Sequence, residues 1–161
     1  MNLRIVSVFA AVLLVAACSN NETPPPATGG AGANAGSTMS AAVPGSKQDF
    51  QQNVGDRVFF EFNESNITPE GRATLQKQAD WLKRYSNVTI TVEGHCDDRG
   101  TREYNLALGN RRAAAVKRTL VALGVPGNRI AVISYGKERP IVVGDTEDAW
   151  RQNRVGISVI N

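Results

Sequence analysis

The stretch NVTITVEGHCDDRGTREYNLALGNRRAAAVKRTL, residues 87–120, decides how this chain folds. Its first nine residues alternate, with Val88, Ile90 and Val92 on one face and polar residues on the other, the period of a half-buried strand. A polar knot of His95, Cys96, Asp97 and Asp98 follows. Beyond it, Leu106, Gly109, Ala113, Val116, Leu120 and Leu123 recur at helical spacing, which predicts a helix from about Thr101 to Leu123. Gly124 is a fitting stop. A strand feeding a helix through a short loop is the start of a crossover unit, and the flanking sequence extends it. RVFFEFN (57–63) alternates as a strand, with Val58, Phe60 and Phe62 on one face. NITPEGRATLQKQADWLKRYS (66–86) reads as a helix capped by Thr68, with Pro69 at its first position, Glu70 at its positive end and a buried stripe of Leu75, Ala79, Leu82 and Tyr85. RIAVISYG (129–136) and RVGISVIN (154–161) are two further strands. The order β-α-β-α-β-β predicts an α/β sandwich, one mixed sheet covered by two main helices.

The 161 residues do not all belong to that sandwich. MNLRIVSVFAAVLLVAAC carries Arg4 and then an apolar run too short to span a bilayer, which needs about 20 residues. It has the form of a signal peptide, residues 1–17. LVAAC resembles the lipobox of bacterial lipoproteins, which implies cleavage before Cys18 and its lipidation, palmitate included. Acyl chains contribute about 0.8 kcal/mol per buried CH₂, and more than one gives stable anchoring. By the same resemblance, Ser19 in place of Asp after that cysteine implies sorting to the outer membrane. Residues 18–46 are rich in Pro, Gly, Ala and Ser and read as a flexible tether with an average reach of about 30 Å. The globular domain is expected over 47–161. With Cys18 consumed, Cys96 has no partner and no internal disulfide is expected. The net charge of +3 comes without a basic block, so nucleic-acid binding is not supported.

The knot gathers reactive residue types but lacks the spacing for most reactions. Its four candidate ligands are consecutive, so at most two converge, and no second His completes a zinc site. No metal and no cofactor is expected. His95 and Cys96 are adjacent, which rarely brings sulfur and imidazole into hydrogen-bond geometry. A carboxylate pair for glycoside hydrolysis needs two groups about 5–9.5 Å apart across a cleft, and nothing in the pattern sets such a pair. Recognition fits better. Asn105, Leu108 and Arg112 lie on one helical stripe beside the loop carrying Asp97. An Asp and an Arg across a small concavity suit a zwitterion, the carboxylate taking an ammonium and the guanidinium a carboxylate. A direct Asp97–Arg112 salt bridge that staples loop to helix is the other reading, and spacing does not separate the two.

VEGHCDDRGTREYNLALGNRRAAAVKRTL, flanked by FEFNESNI, ISYGKERP and QNRVGISVI, resembles the OmpA-like peptidoglycan-binding domains over about residues 57–161. That resemblance implies a non-enzymatic binder of the meso-diaminopimelate in the peptidoglycan stem peptide. Asp97 would bind its ammonium and Arg112 its carboxylate. Asn105 and the backbone around Cys96 would add hydrogen bonds, and Leu108 would pack on the aliphatic chain. Asn63 falls where the family has Asp or Asn, and Arg154 matches the first arginine of a terminal N-R-R motif. Val155 departs from the second arginine, and Cys96 from a usual Thr or Ala. With a lipid anchor and a tether, the domain resembles the lipoprotein members that serve the Tol envelope system. This implies TolB as a partner, an outer-membrane position facing the periplasm, and a role in envelope integrity and cell division. An OmpA-like lipoprotein outside the Tol system, or a peptidoglycan hydrolase, is the alternative.

Overall fold

The computed structural model describes residues 42–161; the signal peptide, Cys18 and most of the tether lie outside the described residues. A helical segment opens the described chain, α1 (Lys47–Asp49) running directly into a π-turn at Phe50–Val54. The rest follows as β1 (Arg57–Phe59), α2 (Pro69–Arg84), β2 (Ile90–His95), α3 (Arg102–Ala122), β3 (Ile130–Gly136), α4 (Glu147–Asn153) and β4 (Val155–Ile160). The sheet order is β1-β4-β2-β3. β4 runs antiparallel to both neighbours, with Val58 opposite Gly156 and Val92 opposite Ser158. β2 and β3 are parallel, with Val92 beside Val132. Parallel neighbours need a long crossover, and α3 supplies it. This is the expected α/β sandwich, one mixed sheet under two main helices. None of the described helices is long and apolar enough to cross a membrane.

The helix boundaries follow from their caps. Thr68 Oγ1 accepts from Gly71 N at 3.0 Å ahead of Pro69, and Thr101 Oγ1 accepts from Tyr104 N at 3.2 Å. Gly124, at φ +94°, ends α3 in the left-handed conformation that glycine adopts without strain. At the other end of α2, the Arg129 guanidinium donates to the carbonyls of Leu82, Tyr85 and Val88, which answers the helix's orphan acceptors. Between sheet and helices sits one core, in which Val58, Leu75, Leu82, Ile90, Val92, Val116 and Leu120 are buried.

Three expectations change. The first strand stops at Phe59: the chain turns away at Asn63 (φ +60°), so Phe62 is 55% exposed instead of inward. The seam of α3 is rotated, because Leu106 is 47% exposed while Asn105, Leu108 and Arg112 are buried. Two helical pieces had no clear apolar period, the segment at 47–54 and α4.

The N-terminal segment is clasped by Asp49, whose carboxylate accepts from Asn53 Nδ2 (2.8 Å), Trp81 Nε1 (2.9 Å) and Gly45 N (2.8 Å). These bonds, from Asn53 foremost, hold its pKa below the ordinary carboxylate value. A depressed carboxylate contributes stability that is present above its unfolded-state pKa and lost as pH falls through the lower folded one. The clasp is therefore expected to open only in strong acid, read as a change in Trp81 fluorescence that Asp49→Asn shows already at neutral pH.

Among the described glycines, the one with least room for a side chain packs against another glycine. A Cβ placed on Gly94 of β2 would stand 1.9 Å from the carbonyl oxygen of Gly109 in α3. The pair lets α3 settle onto the end of β2, just where the polar loop begins.

Candidate functional site

The loop 96–100 leaves β2 through a register shift at Gly94/His95 and is fastened on several sides. Cys96 N donates to Gly136 O at 2.8 Å. Lys137 Nζ donates to the carbonyls of Asp98 (3.0 Å) and Gly100 (2.7 Å). Asn105 Nδ2 reaches back from α3 to the carbonyls of Arg99 (2.8 Å) and Thr101 (3.0 Å). Both amide hydrogens of Asn105 are thus spent on the loop, and only its carbonyl oxygen is left to face a ligand. His95 plays the plain part its sequence position suggested: Nδ1 donates to the Arg139 carbonyl at 3.0 Å. Among the described residues no group of His, Cys, Asp and Glu is arranged to hold a metal.

Beside this loop lies a cavity of about 210 Å³ that brings together Asn63, Asp97, Asn105, Leu108 and Arg112. Phe62, Arg99, Gly100 and Tyr104 complete it, none of them expected at the site from sequence. Tyr104 donates its hydroxyl to Asn63 Oδ1, which bridges the first strand's turn to α3. A larger, shallower groove of about 290 Å³ passes between Ile67 and Leu123 and carries exposed Arg72 and Arg118. It holds no buried charge, which is why the smaller cavity is the candidate.

Arg112 is 1% exposed and charged. Its Nε donates to Glu64 O (2.8 Å), Nη1 to His95 O (2.9 Å) and Nη2 to Glu61 O (3.1 Å). Burial lowers its pKa, but a guanidinium starts so high that it stays protonated. Of its five N–H donors, three are bound to backbone, leaving two for the cavity.

Asp97 is 4% exposed, and one oxygen of its carboxylate is already occupied. Oδ2 accepts from Arg99 Nη2 at 2.5 Å and lies 3.4 Å from Arg154 Nη1. Among the described residues no ion pair joins Asp97 to Arg112, so the stapling salt bridge is not formed. Arg154 is held from behind by Phe60 O (3.1 Å) and Glu147 Oε1 (2.9 Å).

Two expected contributors stand outside the cavity. Arg154 touches Asp97 from the sheet side and orients it. Cys96 turns to a different hollow, beside Asp98 and Lys137. The Cys96 N–H is consumed by Gly136, and its thiol, whose pKa burial pushes up, donates weakly to the backbone carbonyl of Asn105. Arg99 could have been suspected from sequence as a cation two residues from Asp97; its aromatic neighbours, Phe62 and Trp150, are too far along the chain to be read that way.

Residues 59–154 match the model of the OmpA family. A peptidoglycan-associated lipoprotein of Rhizobium meliloti is 56% identical over 80% of this chain and 73% of its own. One of Brucella melitensis is 56% identical over 78% of this chain and 75% of its own. The crystal structure of the peptidoglycan-associated lipoprotein from Burkholderia pseudomallei superposes with a TM-score of 0.68 at 36% identity, covering 72% of this chain and 100% of that one. The chain belongs to the OmpA family and, within it, to the peptidoglycan-associated lipoproteins. This family is a structural, non-enzymatic one, and the chain is not an enzyme.

Proposed function

We propose that this protein binds peptidoglycan noncovalently through the diaminopimelate of the stem peptide, and so links the outer membrane to the cell wall. The observation that carries the reading is the buried guanidinium of Arg112, which shares one small cavity with the Asp97 carboxylate while the two remain unpaired with each other. A buried charge with donors to spare is costly unless something answers it, and a ligand carboxylate does so in bidentate fashion. Asp97 takes the ammonium of the same ligand end, Leu108 lines the path of the aliphatic chain, and Asn63 and the Asn105 carbonyl border the polar rim. Arg154 is a positioning residue for Asp97. The anchor at Cys18 and the tether of residues 18–46 belong to the same proposal, as does membership of the Tol system with TolB as partner. The likeness to peptidoglycan-associated lipoproteins supports them.

The test is a pull-down of the full chain on purified cell-wall sacculi. Asp97→Asn keeps the shape and removes the charge, and a charge-assisted hydrogen bond contributes about 1.5–3 kcal/mol. The variant is expected to fall at least about tenfold in apparent affinity, with an unchanged circular dichroism spectrum. Wild-type recovery by Asp97→Asn would overturn the clamp.

A further inference from the structure

The acidic jaw of the clamp is not bare. Arg99 Nη2 lies 2.5 Å from Asp97 Oδ2, and Arg99 Nη1 lies 3.7 Å from Glu147 Oε2. The guanidinium carbon stands 4.0 Å from the ring centre of Phe62 and 4.2 Å from that of Trp150, so two aromatic rings flank it. Two guanidinium groups, of Arg99 and Arg154, thus meet two carboxylates, of Asp97 and Glu147. Arg112 lines the same cavity with no carboxylate on it among the described residues. Two buried donors beside it, Arg99 Nε and Trp150 Nε1, have no acceptor among the described residues.

We propose that Arg99 is a specificity-determining gate, which occupies the ammonium seat at Asp97 Oδ2 and must be displaced by a ligand that takes that oxygen. The proposal rests on the clamp reading given above. Of the two arginines on Asp97, Arg99 is the one free to move. Its side chain is 32% exposed, whereas that of Arg154 is 4% exposed and bonded to Phe60 O and Glu147. Leaving Asp97 does not send Arg99 into water, because Glu147 and the two rings already hold it.

The gate makes the site choosy. Exchanging one cation for another on the same carboxylate gains little, and the resident cation is tethered, hence present at high effective concentration. A ligand that offers only an ammonium has nothing further to contribute. A ligand whose ammonium and carboxylate share one carbon also supplies an acceptor, and the donors left on Arg112 are there to meet it. The carboxylate answers the unpaired charge of Arg112, which a lone ammonium leaves unanswered. The stem peptide with diaminopimelate is therefore taken, and the same peptide with lysine, lacking that carboxylate, is turned away.

The experiment compares two tripeptides by calorimetry on the full chain, l-Ala-d-Glu-meso-diaminopimelate and its l-lysine counterpart. Wild type is expected to favour the diaminopimelate peptide by about tenfold or more. Arg99→Gln should bind the lysine peptide at least about tenfold more tightly than wild type does and lose most of the preference, while Arg99→Lys restores it. An unchanged preference in Arg99→Gln, or weaker binding of both peptides, would show a merely structural arginine and overturn the gate. The Trp150 indole N–H resonance, assigned with Trp150→Phe, should shift when wild type takes up the diaminopimelate peptide; a resonance that stays put also overturns it. Failure of the clamp itself reads differently, as Asp97→Asn binding the diaminopimelate peptide as tightly as wild type.

Discussion

Arg112→Ala is expected to cost the fold about 3 kcal/mol or more, since each buried acceptor left unsatisfied costs about 1–3 kcal/mol. The side chain donates to three carbonyls that come from two separate segments, Glu61 and Glu64 from the turn after β1 and His95 from the end of β2. Alanine would leave three acceptors unanswered, the His95 carbonyl in a buried place and those of Glu61 and Glu64 in part-buried ones, and remove the largest fully buried side chain in the molecule's described part. Urea unfolding of the full chain should show the loss directly as a lower midpoint with little change in slope. The consequence for binding studies is practical. A loss of cell-wall binding in this variant reports a damaged turn as much as a missing ligand contact, and Asp97→Asn is the cleaner probe.

Gly94→Ala should be as severe, through overcrowding. The new methyl would sit 1.9 Å from Gly109 O and 2.6 Å from its carbonyl carbon, both backbone atoms in the middle of α3. No rotamer change relieves a clash with a helix backbone, so α3 must lift from β2. Overpacking commonly costs 1–3 kcal/mol, and here about 3 kcal/mol or more is expected because the obstacle cannot yield. Lifting α3 also moves Asn105, Leu108 and Arg112 relative to the loop. Any folded fraction of Gly94→Ala should therefore bind sacculi poorly, with thermal melting and pull-down falling together. Gly109→Ala, whose Cβ would meet Ser134 Oγ at 2.4 Å and Gly94 O at 2.8 Å, should show a milder form of the same defect.

Strong periodicity made most of the architecture legible. Ile90 and Val92 alternate cleanly in β2, and Leu75, Ala79 and Leu82 mark α2 without ambiguity. The threonine cap at 68 fell where the local chemistry put it, and the second helix begins where expected, with Thr101 as its cap. Misjudged was the facing of α3, and the reason is physical. A hydropathy pattern turns apolar residues inward, so it brought Leu106 into the core and set Asn105 and Arg112 at its margin. The fold does the reverse, because Arg112 answers carbonyls that no apolar group could satisfy. α4 was missed since seven residues give barely two turns of pattern, although Thr146 followed by Glu147 and Asp148 carries a start signal. At the site, the sequence placed Asp97 near the start of the helix and the stripe to Arg112 beside it. Which cation holds Asp97 was beyond it. Arg99 and Arg154 lie on opposite sides of that stripe in the chain, and only the folded sheet brings both to one carboxylate.

The place of β4 in the sheet has a bearing on how the molecule comes into being. Although last in order, it lies between β1 and β2, and in the described sheet β1 pairs with nothing else. A chain made from its N-terminus onward cannot close this sheet until Val155–Ile160 arrive, and Arg154 arrives with them to meet Asp97 and Glu147. Long-range strand pairing of this kind is slow to form. Sheet and binding cavity are thereby completed together, when β4 takes its place between β1 and β2.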